Sequence, residues 1–388
     1  MPNFIAKDIK FANLPCKVGE CEFAWFARSG DESLIYTKLK DNEFFIQVKK
    51  RKDDYLVKGD KTTRPANIFV LQKALCEFRD FLAWDLIFSA LNSHEKSLEK
   101  IDFLLDEDEF ISNLANLKNK EIFLEIGFGS GRHLLYQAKS NPNAIVVGIE
   151  IYKPSILQVS NLAKASNLNN IILLNLDARK ILSLLQDNCI DKIFLHFPIP
   201  WHKSKNRRVV SDEFALEVQR VLKKGGLFEL RSDDKDYTDF STSVFLNLDL
   251  ANLQIYKNRF LEVSSKYEDR WVRQNKDIFD MIFTNSIHSN SSKISGEFVF
   301  DKPNFDQICS NLAPITHKGD DFFIHIQRIY KNEANLILKI AFGSFYKPEH
   351  IFVLINKNEI KYFIKTPLKT QPNLKAHQKL KELLFCKI

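Results

Sequence analysis

The sequence predicts an α/β protein in which a doubly wound parallel sheet occupies the middle of the chain and a β-rich module flanks it on each side. Three observations carry this prediction. Between positions 120 and 250, apolar strand-like segments recur about every 25 residues with helix-patterned segments between them, the alternation that builds parallel sheets. Three of the chain's 12 glycines, Gly127, Gly129 and Gly131, crowd together directly after the first of those strands. Short alternating segments bounded by polar turns fill both ends of the chain. At 388 residues the chain is long enough for two to three domains of about 150 residues each.

Taken in order, ECEFAWFA, SLIYTKL, EFFIQVKK and DYLVK between Glu20 and Lys58 read as strands, and from about Asn67 to Leu91 the apolar spacing becomes helical. The acidic stretch Glu99 to Glu109 reads as a connector. After it come the strand IFLEIG, a helix over Arg132 to Ser140, the strand AIVVGIE, a helix over Pro154 to Ser166 and the strand NIILLN. A helix over Ala178 to Leu185, the strand KIFLHF, a helix over Asp212 to Lys223, the strand LFELRS and a helix over Tyr237 to Leu246 complete the series. SIHSNSSKIS is Ser/Asn-rich and reads as a linker. Beyond it FFIHIQRIY, NLILKIAFG, HIFVLINKN and EIKYFIKT read as strands, closed by a basic helix over Leu374 to Phe385. The expected domains are therefore 1–115, 116–287 and 288–388. The two flanking tracts are either separate modules or one sheet built from both ends.

Composition excludes several classes. Hydrophobic residues at 45% and charged residues at 27% are ordinary for a globular chain, which excludes wholesale disorder. No apolar run approaches the ~18–20 residues that span a bilayer, and the N-terminus lacks a signal-peptide pattern. The six cysteines are scattered without a CxxC pair, so no zinc or other metal site is expected and a reducing cytoplasm suits the chain. A net charge of +7 is compatible with a polyanionic partner. Nothing in the sequence sets an oligomeric state.

The glycine cluster reads Glu125-Ile-Gly127-Phe-Gly129-Ser-Gly131. Glycine is needed at a strand's carboxyl end where backbone must approach a ligand closely. A dinucleotide fingerprint would require glycine or alanine at position 132, which is Arg132, so the spacing is ExGxGxG. The second strand ends in Glu150, positioned to grip the hydroxyls of a ribose, and Asp177 follows the third strand, where it suits an adenine amino group or a helix N-cap. After the fourth strand comes His196-Phe-Pro-Ile-Pro-Trp201-His-Lys203, a loop stiffened by two prolines. Five bases, counting His202, fall within the seven residues from His202 to Arg208. An aromatic loop beside cations suits a stacked base with flanking phosphates.

The three acids around the glycine cluster resemble those of class I, Rossmann-like methyltransferases, which bind S-adenosyl-L-methionine. The loop FPIPWHKSKNRR resembles that of the bacterial tRNA (guanine-N7-)-methyltransferases, whose pattern is FPDPWxK followed by basic residues ending in Arg-Arg. LFELRSDDKDY matches the family strand that ends in Thr-Asp, with Asp233 at the acid. Ser265 to Glu268 matches the family's TxxE element. The likeness covers about residues 120 to 285 and implies methylation of N7 of guanine 46 in the tRNA variable loop. It implies cofactor contacts from Glu125, Gly127, Gly129, Glu150 and Asp177, and substrate contacts from Trp201, Lys203, Arg207, Arg208, Asp233, Ser265 and Glu268, with Asp233 and Glu268 at the reacting guanine. The family's acid between the two prolines is Ile199 here. That departure keeps two alternatives open: a tRNA-binding relative with impaired catalysis, or a methyltransferase for another substrate. Guanine N7 carries its own lone pair, so transfer requires alignment and stabilisation of the cationic product rather than a base. A second basic run, Lys49 to Arg64, suits either a solvated hairpin or a grip on an RNA backbone.

Overall fold

In the computed structural model the described residues are 2–65, 68–91, 101–114, 117, 120–263, 268, 273–290 and 294–385. The chain divides into two compact units, Met1–Glu99 with Ile294–Ile388, and Lys100–Lys293. Of the two arrangements that the sequence left open for the flanking tracts, the structure has the single sheet built from both ends.

In the first unit the N-terminal strands are β1 (Asn3–Ile9), β2 (Cys16–Val18), β3 (Cys21–Ser29), β4 (Glu32–Leu39), β5 (Asn42–Lys50) and β6 (Tyr55–Gly59). They are followed by helix α1 (Ile68–Leu82) and β7 (Ala83–Ser89). Val70, Leu71, Ala74, Leu75, Phe78 and Leu82 lie three or four apart on one face of α1 and pack on Phe4, Phe23, Phe44, Ile46 and Val57 of the sheet. The helix expected to reach Leu91 stops at Leu82. From Ala83 the chain pairs with β1, and Trp84 to Phe88 are exposed on both faces of an edge strand, so no polar alternation marks it in the sequence. β1 itself was also absent from the expected strands.

The second unit contains β8 (Leu104–Leu105), α2 (Glu107–Leu114), β9 (Ile122–Ile126), α3 (Arg132–Ser140), β10 (Ile145–Ile149), α4 (Lys153–Ala165), β11 (Ile171–Leu174) and α5 (Ala178–Ile181). It continues with β12 (Ile190–His196), α6 (Asp212–Val221), β13 (Leu222–Ser232), α7 (Lys235–Leu246), β14 (Asn252–Lys257) and β15 (Phe279–Thr284). The expected acidic connector holds β8 and the start of α2. The sheet order is β14-β15-β13-β12-β9-β10-β11-β8, with β15 antiparallel to both its neighbours and the remaining pairings parallel. β9 and β10 are buried along their whole length because helices cover both faces, which explains their unbroken apolar sequence. The chain winds from β9 outward through β10 and β11, then returns to β12 on β9's other side. The carboxyl ends of β9, β10 and β12 therefore border the switch-point crevice where such sheets bind ligands.

The first unit resumes with a helix (Phe305–Asn311), β16 (Thr316–Lys318), β17 (Phe323–Lys331), β18 (Leu336–Gly343), β19 (Glu349–Ile355), β20 (Ile360–Phe363) and the closing helix Gln371–Phe385. Its sheet runs β20-β19-β18-β17-β3-β4-β5-β6-β1-β7, and β17 meets β3 at Lys331↔Arg28. Phe45 packs 4.9 Å from Phe352 and Tyr36 packs 4.9 Å from Phe363, so aromatic rings from both ends of the chain make one core. Lys339 Nζ reaches the buried Asp60 at 2.7 Å across the same junction.

Candidate active site

The turn after β9 is built for close approach. Gly127, Gly129 and Gly131 have φ of 71°, 52° and 72°, the left-handed region where a side chain costs about 1–2 kcal/mol. A Cβ on Gly131 would sit 2.3 Å from Val159 Cγ2 of α4, so only glycine lets α3 start there. A Cβ on Gly127 would meet nothing within 4 Å, so that glycine borders open space.

Glu150 braces the turn. Its Oε2 accepts from Gly129 N at 3.0 Å, and its Oε1 accepts from the backbone of Ile151 at 2.8 Å and Tyr152 at 3.0 Å. Ile151, 74% exposed, offers an apolar wall beside this carboxylate. Open backbone, a fixed carboxylate and an apolar wall suit an adenosine-bearing cofactor.

Two other expected cofactor acids are engaged within the protein. Glu125 is buried and its Oε2 lies 2.8 Å from His133 Nδ1 on α3, facing that imidazole rather than the open turn. Burial disfavours a charged His133, but the charge and hydrogen bond of Glu125 outweigh it and hold the imidazole above its ordinary pKa. Asp177 caps α5 by accepting from Arg179 N at 3.0 Å, and the Arg179 side chain closes on it at 2.6 Å. Burial would raise the Asp177 carboxyl, yet this fork leaves it below its ordinary value.

The loop after β12 is held in a strained shape. Phe197 and Trp201 have φ of 50° and 45°, left-handed positions for bulky residues, which persist only where surroundings impose them. Phe197 N donates to Arg231 O at 2.7 Å, and Arg208 Nε donates to Pro200 O at 2.8 Å. Arg208 is buried, with its guanidinium 4.6 Å from the Phe240 ring centroid and 5.2 Å from that of Tyr237. Arg208, expected on a phosphate, here clamps the loop onto α7. Arg207 lies 5.1 Å from the Trp201 ring centroid, while Lys203 and Ile199 are exposed.

Asp233, at the end of β13, pairs with Lys276 Nζ at 2.9 Å, and the neighbouring Asp234 caps α7 through Tyr237 N at 2.7 Å. Glu268 is buried, its two oxygens taken by Arg231 at 2.6 and 3.2 Å. Ser265 lies outside the described residues.

Beneath these residues runs a buried polar chain that no sequence motif announced. The rings of His133 and His196 lie 4.5 Å apart, and His196 Nε2 is 2.9 Å from Glu229 Oε1. Glu229 Oε2 accepts from Arg259 at 2.7 Å, and Arg231 forks onto Asp280 at 2.6 and 2.8 Å and onto Glu268. Burial pushes the Glu229 carboxyl up, but His196 and Arg259 overcome it and hold it at about 2. Burial raises Asp280, with Arg231 opposing. The available signal was a charge at alternate positions, Glu229 and Arg231, inside an apolar strand, where unpaired charge is rarely buried.

A core sheet in this order with one antiparallel strand, a left-handed glycine turn at its switch point and a carboxylate closing the next strand define a class I methyltransferase whose cofactor is S-adenosyl-L-methionine. A family profile described as "Putative methyltransferase" matches residues 119–281. The tRNA (guanine-N(7)-)-methyltransferase of Campylobacter fetus is 54% identical over 392 residues, covering 100% of this chain and 99% of that one. The like-named proteins of Campylobacter jejuni and Wolinella succinogenes are 46% and 34% identical, each aligned over 99% of this chain. The chain belongs to the tRNA (guanine-N(7)-)-methyltransferase family. Because these relatives align along the whole chain, the flanking tracts are shared with them rather than peculiar to this protein. Among the described residues no helix is long and apolar enough to cross a membrane, and no cluster of side chains suits a metal ion.

Proposed function

We propose that the protein transfers a methyl group from S-adenosyl-L-methionine to N7 of guanine in tRNA, at guanine 46 of the variable loop, in the cytoplasm. The observation that carries this reading is full-length identity of 54% to a protein of that name, together with a glycine turn and a Pro-Trp loop at adjoining strand ends. When bound, the cofactor supplies a methyl group on a sulfonium, which an in-plane lone pair attacks in line. The chain's own work is alignment and charge. Gly127 and Gly129 admit the cofactor, and Glu150 steadies the turn while offering a carboxylate to its ribose. Asp177 and Glu125 act next to it, each through the partner that already fixes its carboxylate. Trp201 walls the guanine, while Lys203 and Arg207 face phosphates. Asp233 holds the guanine edge and favours the positive charge that develops on the ring; Glu268 and Arg231 support that strand end. No proton needs removal from N7, so Ile199 in place of an acid is compatible with turnover.

The test is transfer of labelled methyl to unmodified tRNA, with the product nucleoside identified by mass and a tRNA carrying adenine at position 46 as control. N7-methylguanosine from the first tRNA alone is the expected result. Binding of both ligands without transfer would instead support an impaired relative, and transfer to another base would name another substrate.

A further inference from the structure

Positive charge is divided unevenly along this chain. Residues 1–99 and 294–388 hold 30 Lys and Arg against 24 Asp and Glu, whereas residues 100–293 hold 26 against 25. Of the net +7, then, +6 belongs to the unit without the glycine turn, +1 of it in residues 1–99 (16 against 15) and +5 in residues 294–388 (14 against 9). A polyanion gains little long-range attraction from a nearly neutral methyltransferase unit, and affinity for nucleic acid is dominated by neutralised phosphates.

Within this unit, one face of the sheet combines lysines with an exposed ring. Residues directly opposite in an antiparallel ladder share a face. The register Lys49↔Leu56, Leu56↔Ile5 and Ile5↔Phe88 therefore makes one row across β5, β6, β1 and β7, with Gln47↔Lys58 and Lys58↔Asn3 in the next row. The opposite face carries Val48, Val57 and Phe4 and is sealed by α1. This face is open: Phe88 is 50% exposed, Lys49 is exposed, and Ile5 and Leu56 are only half-buried. Lys49 meets Asp31 only at 3.8 Å, and Lys58 forms no ion pair among the described residues. Rings stack on any base, and lysines meet phosphates as point charges, so the pairing fits single-stranded or looped RNA.

We infer that the β5–β6–β1–β7 face is a tRNA-docking surface, with Lys49 and Lys58 on backbone phosphates and Phe88 against an unpaired base. The inference rests on tRNA being the substrate.

Binding of unmodified tRNA to the full chain is measured across a salt series for wild type, for K49E/K58E, for Phe88→Ala and for a control, K357E/K369E, which places the same charge change on other exposed positions of the unit. K49E/K58E is expected to weaken binding about tenfold or more and to reduce the slope of log K against log salt by about 1–2. Phe88→Ala is expected to weaken binding at least about fivefold. The control is expected to stay within about twofold of wild type, and adenosylmethionine affinity is expected to be unchanged in every variant. Wild-type tRNA affinity and slope in K49E/K58E and Phe88→Ala, or a loss in the control equal to theirs, overturns the inference while leaving the functional reading intact. Loss of self-association in these variants with tRNA affinity preserved assigns the face to a second copy of the chain and also overturns it. If the wild type itself fails to bind tRNA, the functional reading falls first and takes this inference with it.

Discussion

The two units of this chain bury charge differently. In Lys100–Lys293 a chain of polar, titratable side chains, from Glu125 and His133 through His196, Glu229, Arg259 and Asp280 to Arg231 and Glu268, lies under the carboxyl ends of the strands. The other unit is held by apolar and aromatic clusters, with single buried pairs such as Asp60 with Lys339, and presents its surplus positive charge to solvent. Buried ion pairs contribute little net stability and are costly to break, whereas apolar packing stabilises directly. The contrast teaches that the methyltransferase unit accepts an expensive interior where orientation of the strand ends matters, and the flanking unit does not.

Breaking the buried chain tests the contrast most strongly. Arg231→Leu leaves Asp280 and Glu268 without their shared partner, and urea unfolding is expected to show a loss of about 3–5 kcal/mol. A loss no larger than that of an exposed substitution would erase the distinction between the units. Glu229→Gln gives a pH-dependent version. Its folded value of about 2 lies below an unfolded value of about 4.3, so its stabilisation is fully present above about pH 4.3 and fades as pH falls through about 2. The variant is expected to lose about 3 kcal/mol at neutral pH and to approach wild type near pH 2, read from denaturation midpoints across that window. His133 has the opposite sign: its raised value stabilises below about pH 6.5 and that share is lost as pH rises, so His133→Gln should flatten the alkaline side of the profile.

Gly131→Ala probes backbone rather than charge. Left-handed strain and a contact of 2.3 Å with Val159 together are expected to cost about 2 kcal/mol or more; made in a Val159→Ala background and measured against it, the substitution should keep only the strain of about 1–2 kcal/mol. The smallest effect is expected at Ile199. It is 64% exposed, so Ile199→Asp should change stability by no more than about 0.5 kcal/mol, and a larger change in melting would mean that the loop packs this side chain.

Much of the methyltransferase unit was legible because periodicity and punctuation agree there: fully buried parallel strands read as unbroken apolar runs, and glycines mark the one turn that needs them. β14 and β15 escaped because β14 is a largely exposed outer strand and β15 carries the buried Asp280 in an otherwise apolar run. β7 is not legible as a strand because an edge strand exposed on both faces shows no alternation. At the site, Gly127, Gly129 and Glu150 lie together, joined by the Gly129 N to Glu150 hydrogen bond, because the strand ends that carry them are adjacent. The inward turn of Arg208 was not legible, since it depends on Tyr237 and Phe240, which are distant in sequence. The His133–His196 contact likewise joins residues on different elements, so no local pattern could announce it.

The central claim is that guanine N7 is methylated without an acid at position 199, with Asp233 at the guanine edge. The most direct measurement is the yield of N7-methylguanosine at position 46 of unmodified tRNA, compared between wild type and Asp233→Asn. Wild type is expected to methylate that position alone, and the variant is expected to lose about tenfold to hundredfold in kcat/KM for tRNA while its affinity for adenosylmethionine stays unchanged. Equal rates in the two proteins, or no N7-methylguanosine from wild type, would contradict the account.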